Sequence, residues 1–431
     1  MRKQHIAYIF AVLLAACLAS SCLKDQSDLF DRTASARLQE SLENTRAILV
    51  SPPLGWRMEY FAGNSKADYG GYNYALKFTD TEVLAGYDLD PSIRTTTLWK
   101  LTSDDGPVLS FDTYSEVLHH FAIPGWNKYE GMGGDFEFLI ISAEPEKIVL
   151  QGKRSGKTIK MYPLEESMDT FLAKVHDAFE EFAVGLMDGS VNGAPVEGAF
   201  DLNRRQVSFS EKDASGHVVN SGATSFIPTD KGIKFYENLN IASLTISDLL
   251  FDASTHAITS TTEGVRMTGR FPDDYLEFEN FAGNYTLQCY GGFMSTRVQL
   301  VPAEDGTYLM KGLSDHYDLV LTYSKAKGRL VLNSQKIGEY NGQSVYFAAW
   351  ALDDGGRVSR SEEYGMEVCW DTRSAKTRPI FRFSTLGNEF PTDSFLIVLV
   401  DTEGRITGDL AQPGWDPWGE GQFLYMYSLT R

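Results

Sequence analysis

The chain has 431 residues, with 39 Lys or Arg against 58 Asp or Glu and a formal net charge of −19. That balance disfavours nucleic acid and anionic lipid as partners, because both need clustered basic side chains. A content of 43% hydrophobic and 13% aromatic residues supports packed cores rather than disorder, and the length predicts two or three domains.

The first 21 residues read as a secretory signal. Arg2 and Lys3 precede an apolar run, Ile6 to Leu18, which is too short to span ~30 Å of hydrocarbon. Small residues then lead into cysteine, as a lipoprotein signal peptidase requires. Leu14-Ala15-Ala16-Cys17 resembles the bacterial lipobox closely. Ala19-Ser20-Ser21-Cys22 resembles the looser form common in Bacteroidetes, and the acidic stretch after it resembles the surface-export signal of their lipoproteins. Cys22 is the expected acylation site, with Cys17 the alternative. Cutting before Cys22 removes Arg2 and Lys3 and takes the charge from −19 to −21. Residues 22–30 become an acidic tether. The expected location is the outer membrane, lipid-anchored and facing the exterior.

Residues 31–270 read as a β-rich domain with two amphipathic helices, at about 33–50 and 167–187, and a second module can begin near 163–190. In the first helix Leu38, Leu42, Thr45, Ile48 and Leu49 recur at helical spacing, and Pro52-Pro53 stops it. From Trp56 to Tyr162 the period is two. Runs such as "YNYALKF", "EVLHHFA", "KIVLQGK" and "TIKMYPL" are separated by turn residues, which predicts antiparallel meanders closing as barrels or sandwiches. In the second helix Met168, Phe171, Leu172, Val175, Phe179, Phe182 and Leu186 form one stripe, with Gly189 as the stop. Residues 271–431 hold about eight or nine further strands and suit a barrel of their own.

The stretches "DLFDRTASARLQESLENTRAILVSPPLGWRMEYF", "YGGYNYALKF", "TSDDGPVLSFDTYSEVLHHFA", "GMGGDFEFLI" and "IVLQGKRSGKTIKMYPL" resemble a family of Bacteroidetes surface lipoproteins catalogued as domain of unknown function 4302. They cover residues 28 to 165, and "TDKGIKFYENL" extends the match. Such lipoproteins tend to be encoded beside starch-utilisation-like transporters and their surface ligand-binding partners. The resemblance implies nutrient capture and supplies no catalytic residues.

Few chemistries find a motif. "QGKRSGKT" (151–158) has one residue too few for a phosphate-binding loop and joins two strands, so it reads as a hairpin turn. His119 and His120, adjacent on a strand, would point to opposite faces and share no metal. "DLDPS" (88–92) and "SDHYD" (314–318) hold carboxylates that could touch Ca²⁺ without the spacing of a calcium loop. No cofactor or metal is otherwise expected. Cys289 and Cys369 lie in two strand-like runs. An exported protein can oxidise such a pair, but two separately buried thiols fit free cysteine packing better.

The positive hint is aromatic. "GWNKYEGMGG" (125–134) offers Trp126 and Tyr129, and "GWDPWGEG" (414–421) offers Trp415, Asp416 and Trp418. Such rings either plug barrel ends or stack on a glycan or peptide ligand. The expected role is a non-catalytic accessory of a nutrient-uptake locus, binding a glycan or peptide or docking on the transporter. The rivals are a surface hydrolase with a carboxylate pair and a structural or adhesion lipoprotein.

Overall fold

A computed structural model describes residues 34–63, 68–103, 106–124, 131–388 and 390–431. The signal segment, the tether, Cys17, Cys22, Trp126 and Tyr129 lie outside the described residues.

The first barrel is a meander of eight strands. β1 (Trp56–Phe61), β2 (Gly71–Phe78), β3 (Glu82–Tyr87), β4 (Thr95–Thr102), β5 (Val108–Phe111), β6 (Glu137–Glu144), β7 (Lys147–Gly152) and β8 (Thr158–Pro163) pair antiparallel in chain order, and β8 returns to β1. The closing register sets Met58 opposite Met161. Closure leaves no unpaired edge. Along β7 the residues alternate between buried and partly exposed, the period-two pattern of a barrel wall. β2 departs from it, being buried from Gly71 to Leu76 on both faces. Its outer side is covered by a helix, where Ala75 packs with Leu164, Met168 and Leu172.

The helix Ala34–Val50 packs its C-terminal end on this barrel. Leu49 is buried in the barrel's core cluster, and Trp56 Nε1 donates to the Leu49 carbonyl at 2.9 Å. Arg46 lies 4.4 Å from the Trp99 ring centre.

"EVLHHFA" is not a strand. Ser115 caps a single helical turn, Glu116–His119, by accepting from the Leu118 N–H at 3.1 Å. Local side-chain capping of this kind outcompetes strand pairing. His119 stacks on Phe136 at 5.2 Å, and His120 meets Tyr87 and Phe121 edge-on. Burial lowers the pKa of both imidazoles, so folding favours their neutral form. The unfolded chain takes up protons near pH 6.5. A depressed histidine therefore contributes stability that is full above about pH 6.5 and is lost as the pH falls below it. Unfolding free energy measured from about pH 7.5 down to about pH 5 should decline, and the double variant His119→Gln, His120→Gln should flatten that slope. An unchanged slope would rule these rings out as its source.

The helix Met168–Glu181 joins the first two barrels. Ser167 caps it through the Thr170 N–H, and Met168, Leu172 and Val175 are buried. It ends earlier than its stripe suggested. Phe182 turns away to fill the second barrel, 4.9 Å from Phe200 and 4.4 Å from Phe251. Leu186 and Gly189 belong to a strand, where a Cβ on Gly189 would come within 2.3 Å of the Arg266 carbonyl oxygen.

The second barrel is again a closed meander. It runs β9 (Leu186–Val191), β10 (Ala194–Asp201), β11 (Gln206–Lys212), β12 (Val218–Thr229), β13 (Gly232–Ile241), β14 (Leu244–Asp252), β15 (Ala257–Thr259) and β16 (Val265–Arg270). Asn192-Gly193 makes the first hairpin, both residues at positive φ. A buried polar seam joins it to the first barrel. Arg205 Nη1 donates to both carboxylate oxygens of Asp88, at 3.0 and 3.1 Å, and to the Gly71 carbonyl at 2.7 Å. Asn73 Nδ2 donates to Asp88 and to the Pro228 carbonyl.

The C-terminal part holds a barrel and a second sheet. β17 (Gly283–Cys289), β18 (Met294–Pro302), β19 (Thr307–Lys311), β20 (Leu319–Ser324) and β21 (Arg329–Asn333) precede an excursion of β22 (Gln335–Tyr340), β23 (Gln343–Ala351) and β24 (Arg357–Ser359). β25 (Gly365–Trp370) and β26 (Phe381–Thr385) precede another of β27 (Ser394–Val400), β28 (Ile406–Asp409) and β29 (Gln422–Phe423), and β30 (Met426–Thr430) ends the chain. The barrel takes β17 to β21, β25, β26 and β30, and the two excursions build the six-stranded sheet. "SVYFAAW" and "FLIVLVD" thus belong to this sheet and not to a barrel wall. The sheet's inner residues Val345, Phe347, Phe395 and Ile397 share the barrel's core. Its outer residues Ala348, Leu396, Val398 and Val400 form a separate cluster with Tyr346, Trp350 and Val358. Among the described residues, no helix is long and apolar enough to cross a membrane.

Candidate ligand-binding surface

The expected aromatic loop near the C-terminus is internal. Trp415 is only 5% exposed. It stacks on His316 at 4.6 Å and meets the edge of Tyr340, while the Tyr317 hydroxyl donates to its carbonyl at 2.8 Å. The buried Asp416 carboxylate accepts the backbone N–H groups of Trp418, Gly419, Glu420 and Gly421 at 2.7 to 3.3 Å. Trp418 is half-buried against Phe423, 5.4 Å away. The expectation that Trp415 and Asp416 meet a ligand is therefore corrected. Their rings and oxygens are consumed inside the fold, and the loop plugs the core shared by barrel and sheet.

The other candidates are also occupied by structure. Cys289 and Cys369 are free thiols on β17 and β25, with β26 and β30 standing between those strands. Burial pushes Cys289 up to about 12 and Cys369 to about 11, so both stay protonated and poorly nucleophilic at neutral pH. In the first calcium candidate Asp88 is tied to Arg205, and Asp90 accepts from the Ser92 N–H and hydroxyl. In the second, Asp318 pairs with Lys311. Among the described residues, no three His, Cys, Asp or Glu side chains are grouped to hold a metal. The 151–158 stretch is the β7–β8 hairpin, where the Asp135 carboxylate accepts from the N–H groups of Arg154 and Ser155.

A different aromatic group faces solvent. The turn Tyr290–Gly292 links β17 to β18, and Tyr425 precedes β30. Tyr290 and Phe293 have ring centres 5.9 Å apart, and Tyr290 stacks on Tyr425 at 6.1 Å and 22°. Phe293 is 87% exposed and Tyr290 49%. Both tyrosines stand in the left-handed region, at φ 50° and 44°, a conformation that costs a bulky residue about 1–3 kcal/mol. The surroundings enforce it. The Tyr290 N–H donates to the carbonyls of Leu424 and Tyr425, and the Tyr425 N–H donates to the buried Ser394 hydroxyl. A register shift at Gln288–Cys289 against β30 bulges the chain beside the rings, as bulges at functional rims do. Acceptors lie alongside: the Tyr425 hydroxyl donates to Asp353 at 2.7 Å, and the Asp393 carboxylate accepts from the N–H groups of Leu352 and Asp353. That bond to Asp353 raises the Tyr425 pKa.

Sequence reasoning missed this surface because "YGGF" reads as a hairpin turn and "FLYMYSLT" as strand. Exposure of Tyr290 and Phe293 beside a half-buried Tyr425 depends on backbone torsions that composition does not encode. The Gly291-Gly292 pair beside two aromatics was the available signal.

Buried carboxylates elsewhere are already engaged. Glu59 binds Lys234 and Arg57, and Glu367 binds Lys327 and Arg329. Among the described residues, the carboxyl groups with clearly shifted pKa values, including Asp90, Asp112, Asp248 and Glu277, shift down.

The family model for a domain of unknown function, DUF4302, matches residues 26–253, just over half of the chain. The chain belongs to the DUF4302 family. The match takes in both N-terminal barrels up to β14, further than the stretches that first carried the resemblance. A second family model, DUF4987, also a domain of unknown function, matches residues 259–398. No curated protein matches the chain. Among solved structures, the DNA polymerase III β chain of Streptococcus pneumoniae is 12% identical, covers 78% of this chain and 94% of its own, and gives a TM-score of 0.14. The DNA polymerase sliding clamp of Caulobacter crescentus is 12% identical, covers 92% and 96%, and gives 0.12. TM-scores this low do not describe a shared fold.

Proposed function

We propose that this chain is a lipid-anchored cell-surface protein that captures carbohydrate without transforming it, as an accessory of a nutrient-uptake locus. The observation that carries the reading is the platform formed by the exposed Tyr290 and Phe293 with the half-buried Tyr425 beside them. Aromatic faces stack on the apolar faces of sugars, and neighbouring carboxylates accept sugar hydroxyls. Asp353 and Asp393 stand in that position. The backbone strain at both tyrosines is the second support, since strained torsions persist where an exposed group must be held in place. The lipobox before Cys22 and the acidic stretch after it support a location outside the cell, and the engaged carboxylates favour binding over hydrolysis.

A binding screen against dietary and host glycans tests this. A saturable glycan should bind the full chain. Tyr425→Ala should weaken it about tenfold, roughly the loss of one stacked ring and its hydroxyl bond, and Tyr290→Ala, Phe293→Ala, Tyr425→Ala together should abolish it. No saturable glycan, or unchanged binding in the triple variant, would overturn the assignment.

A further inference from the structure

A cleft of ≈ 680 Å³ opens between the first barrel and the outer face of the six-stranded sheet. Its size falls within the ~300–1,000 Å³ of small-ligand sites. Ile123 and Met132 come from the first barrel, and Tyr346, Val358 and Ile406 from the sheet. Ile406 is 43% exposed. An apolar floor of this kind, drawn from two parts of the chain, suits an aliphatic body.

Arg360 stands over that floor. Its guanidinium carbon lies 5.3 Å from the Tyr346 ring centre, and one Nη donates to the Gly404 carbonyl at 2.7 Å. The other arginines beside it are neutralised: Arg357 by Asp354, and Arg405 by Asp401 and Glu403. Among the described residues no carboxylate pairs with Arg360. In a chain of net charge −19, a half-buried arginine held by an aromatic ring and one carbonyl keeps donors in reserve for an external anion. Guanidinium groups match carboxylates in shape and charge. A polyanion is excluded by the glutamates Glu362 and Glu363, which line the same cleft. The Arg360 cation, the Glu362 carboxylate and an aliphatic floor complement a zwitterion.

We propose that this cleft is a second binding site, separate from the aromatic platform, for a short peptide with free ends and an apolar side chain. Its terminal carboxylate sits on Arg360, its terminal ammonium on the Glu362 side, and its side chain on Ile123, Met132 and Ile406. Restraint of Arg360 by Tyr346 and Gly404 lowers the cost of ordering that long side chain on binding.

Calorimetric titration of the full chain with trileucine, its C-terminal amide and its N-acetyl form tests the assignment. Trileucine should bind saturably. Amidation and Arg360→Gln should each weaken it about tenfold, the loss of one charge-assisted contact, and acetylation should weaken it less. Ile406→Asp, at an exposed position, should also weaken trileucine while leaving the melting temperature unchanged. The triple platform variant should bind trileucine like the parent, which separates failure here from failure of carbohydrate capture. Absence of trileucine binding, equal binding of the amide, or an Arg360→Gln protein that binds as the parent does would overturn the proposal.

Discussion

Replacing Arg205 with alanine is expected to destabilise the two N-terminal barrels by about 3–5 kcal/mol, the usual cost of removing one partner from a buried ion pair. Arg205 is 5% exposed and Asp88 1%. Without the guanidinium, the Asp88 carboxylate keeps the Asn73 amide as its side-chain donor among the described residues, so a buried charge is left undercompensated. Two further contacts disappear with it. The guanidinium carbon lies 4.1 Å from the Tyr72 ring centre and 5.0 Å from that of Phe179, contacts that are worth more when desolvated. The Gly71 carbonyl also loses a donor. Denaturant unfolding should show the loss directly. Removing both charges, as Asp88→Leu with Arg205→Met, should cost less than Arg205→Ala, because no unpaired charge then remains in the seam. A single-variant loss below about 1 kcal/mol would mean that the seam is wet and that the barrels are held by their other contacts, the Glu59–Lys234 ion pair and the packing of Phe61 with Ile227 and Tyr236.

The seam also bears on what the sequence can tell. A barrel wall leaves a period-two pattern and short turns, and those were readable along "KIVLQG" and "VRMTGR". The first helix was readable because its stripe ends at Pro52-Pro53. The pairing of Asp88 with Arg205, 117 positions apart, leaves no local trace, since each looks like a loop charge. The accessory sheet was hidden differently. β27 is buried at every residue but one and β23 has no exposed residue, and continuous apolar runs mark strands covered on both faces. That pattern distinguished them from the alternating barrel strands around them. The short helix at Glu116 was hidden by "EVLHHFA", whose apolar content suits either state, so the Ser115 cap decided it.

Asp416→Ala is the second change with a large expected effect, and it separates two uses of one loop. An exposed ligand-contacting aspartate could be removed at little cost in stability, and binding alone would suffer. The buried Asp416 instead takes the backbone N–H groups of four consecutive residues, folding the loop around one carboxylate. Hydrogen bonds to a charged acceptor contribute about 1.5–3 kcal/mol, and they share a single cost here because the same oxygens serve several donors. A loss of about 3 kcal/mol or more is therefore expected in the C-terminal domain. Trp415 packs between His316, Tyr317 and Tyr340, so its fluorescence should report the loosening before global unfolding. Asp416→Asn keeps one acceptor oxygen and should lose less. Glycan binding at the Tyr290 platform should survive in both variants under conditions where they remain folded. If Asp416→Ala kept its stability and lost glycan binding instead, the loop would be a ligand contact and the platform would lose its claim to the sugar.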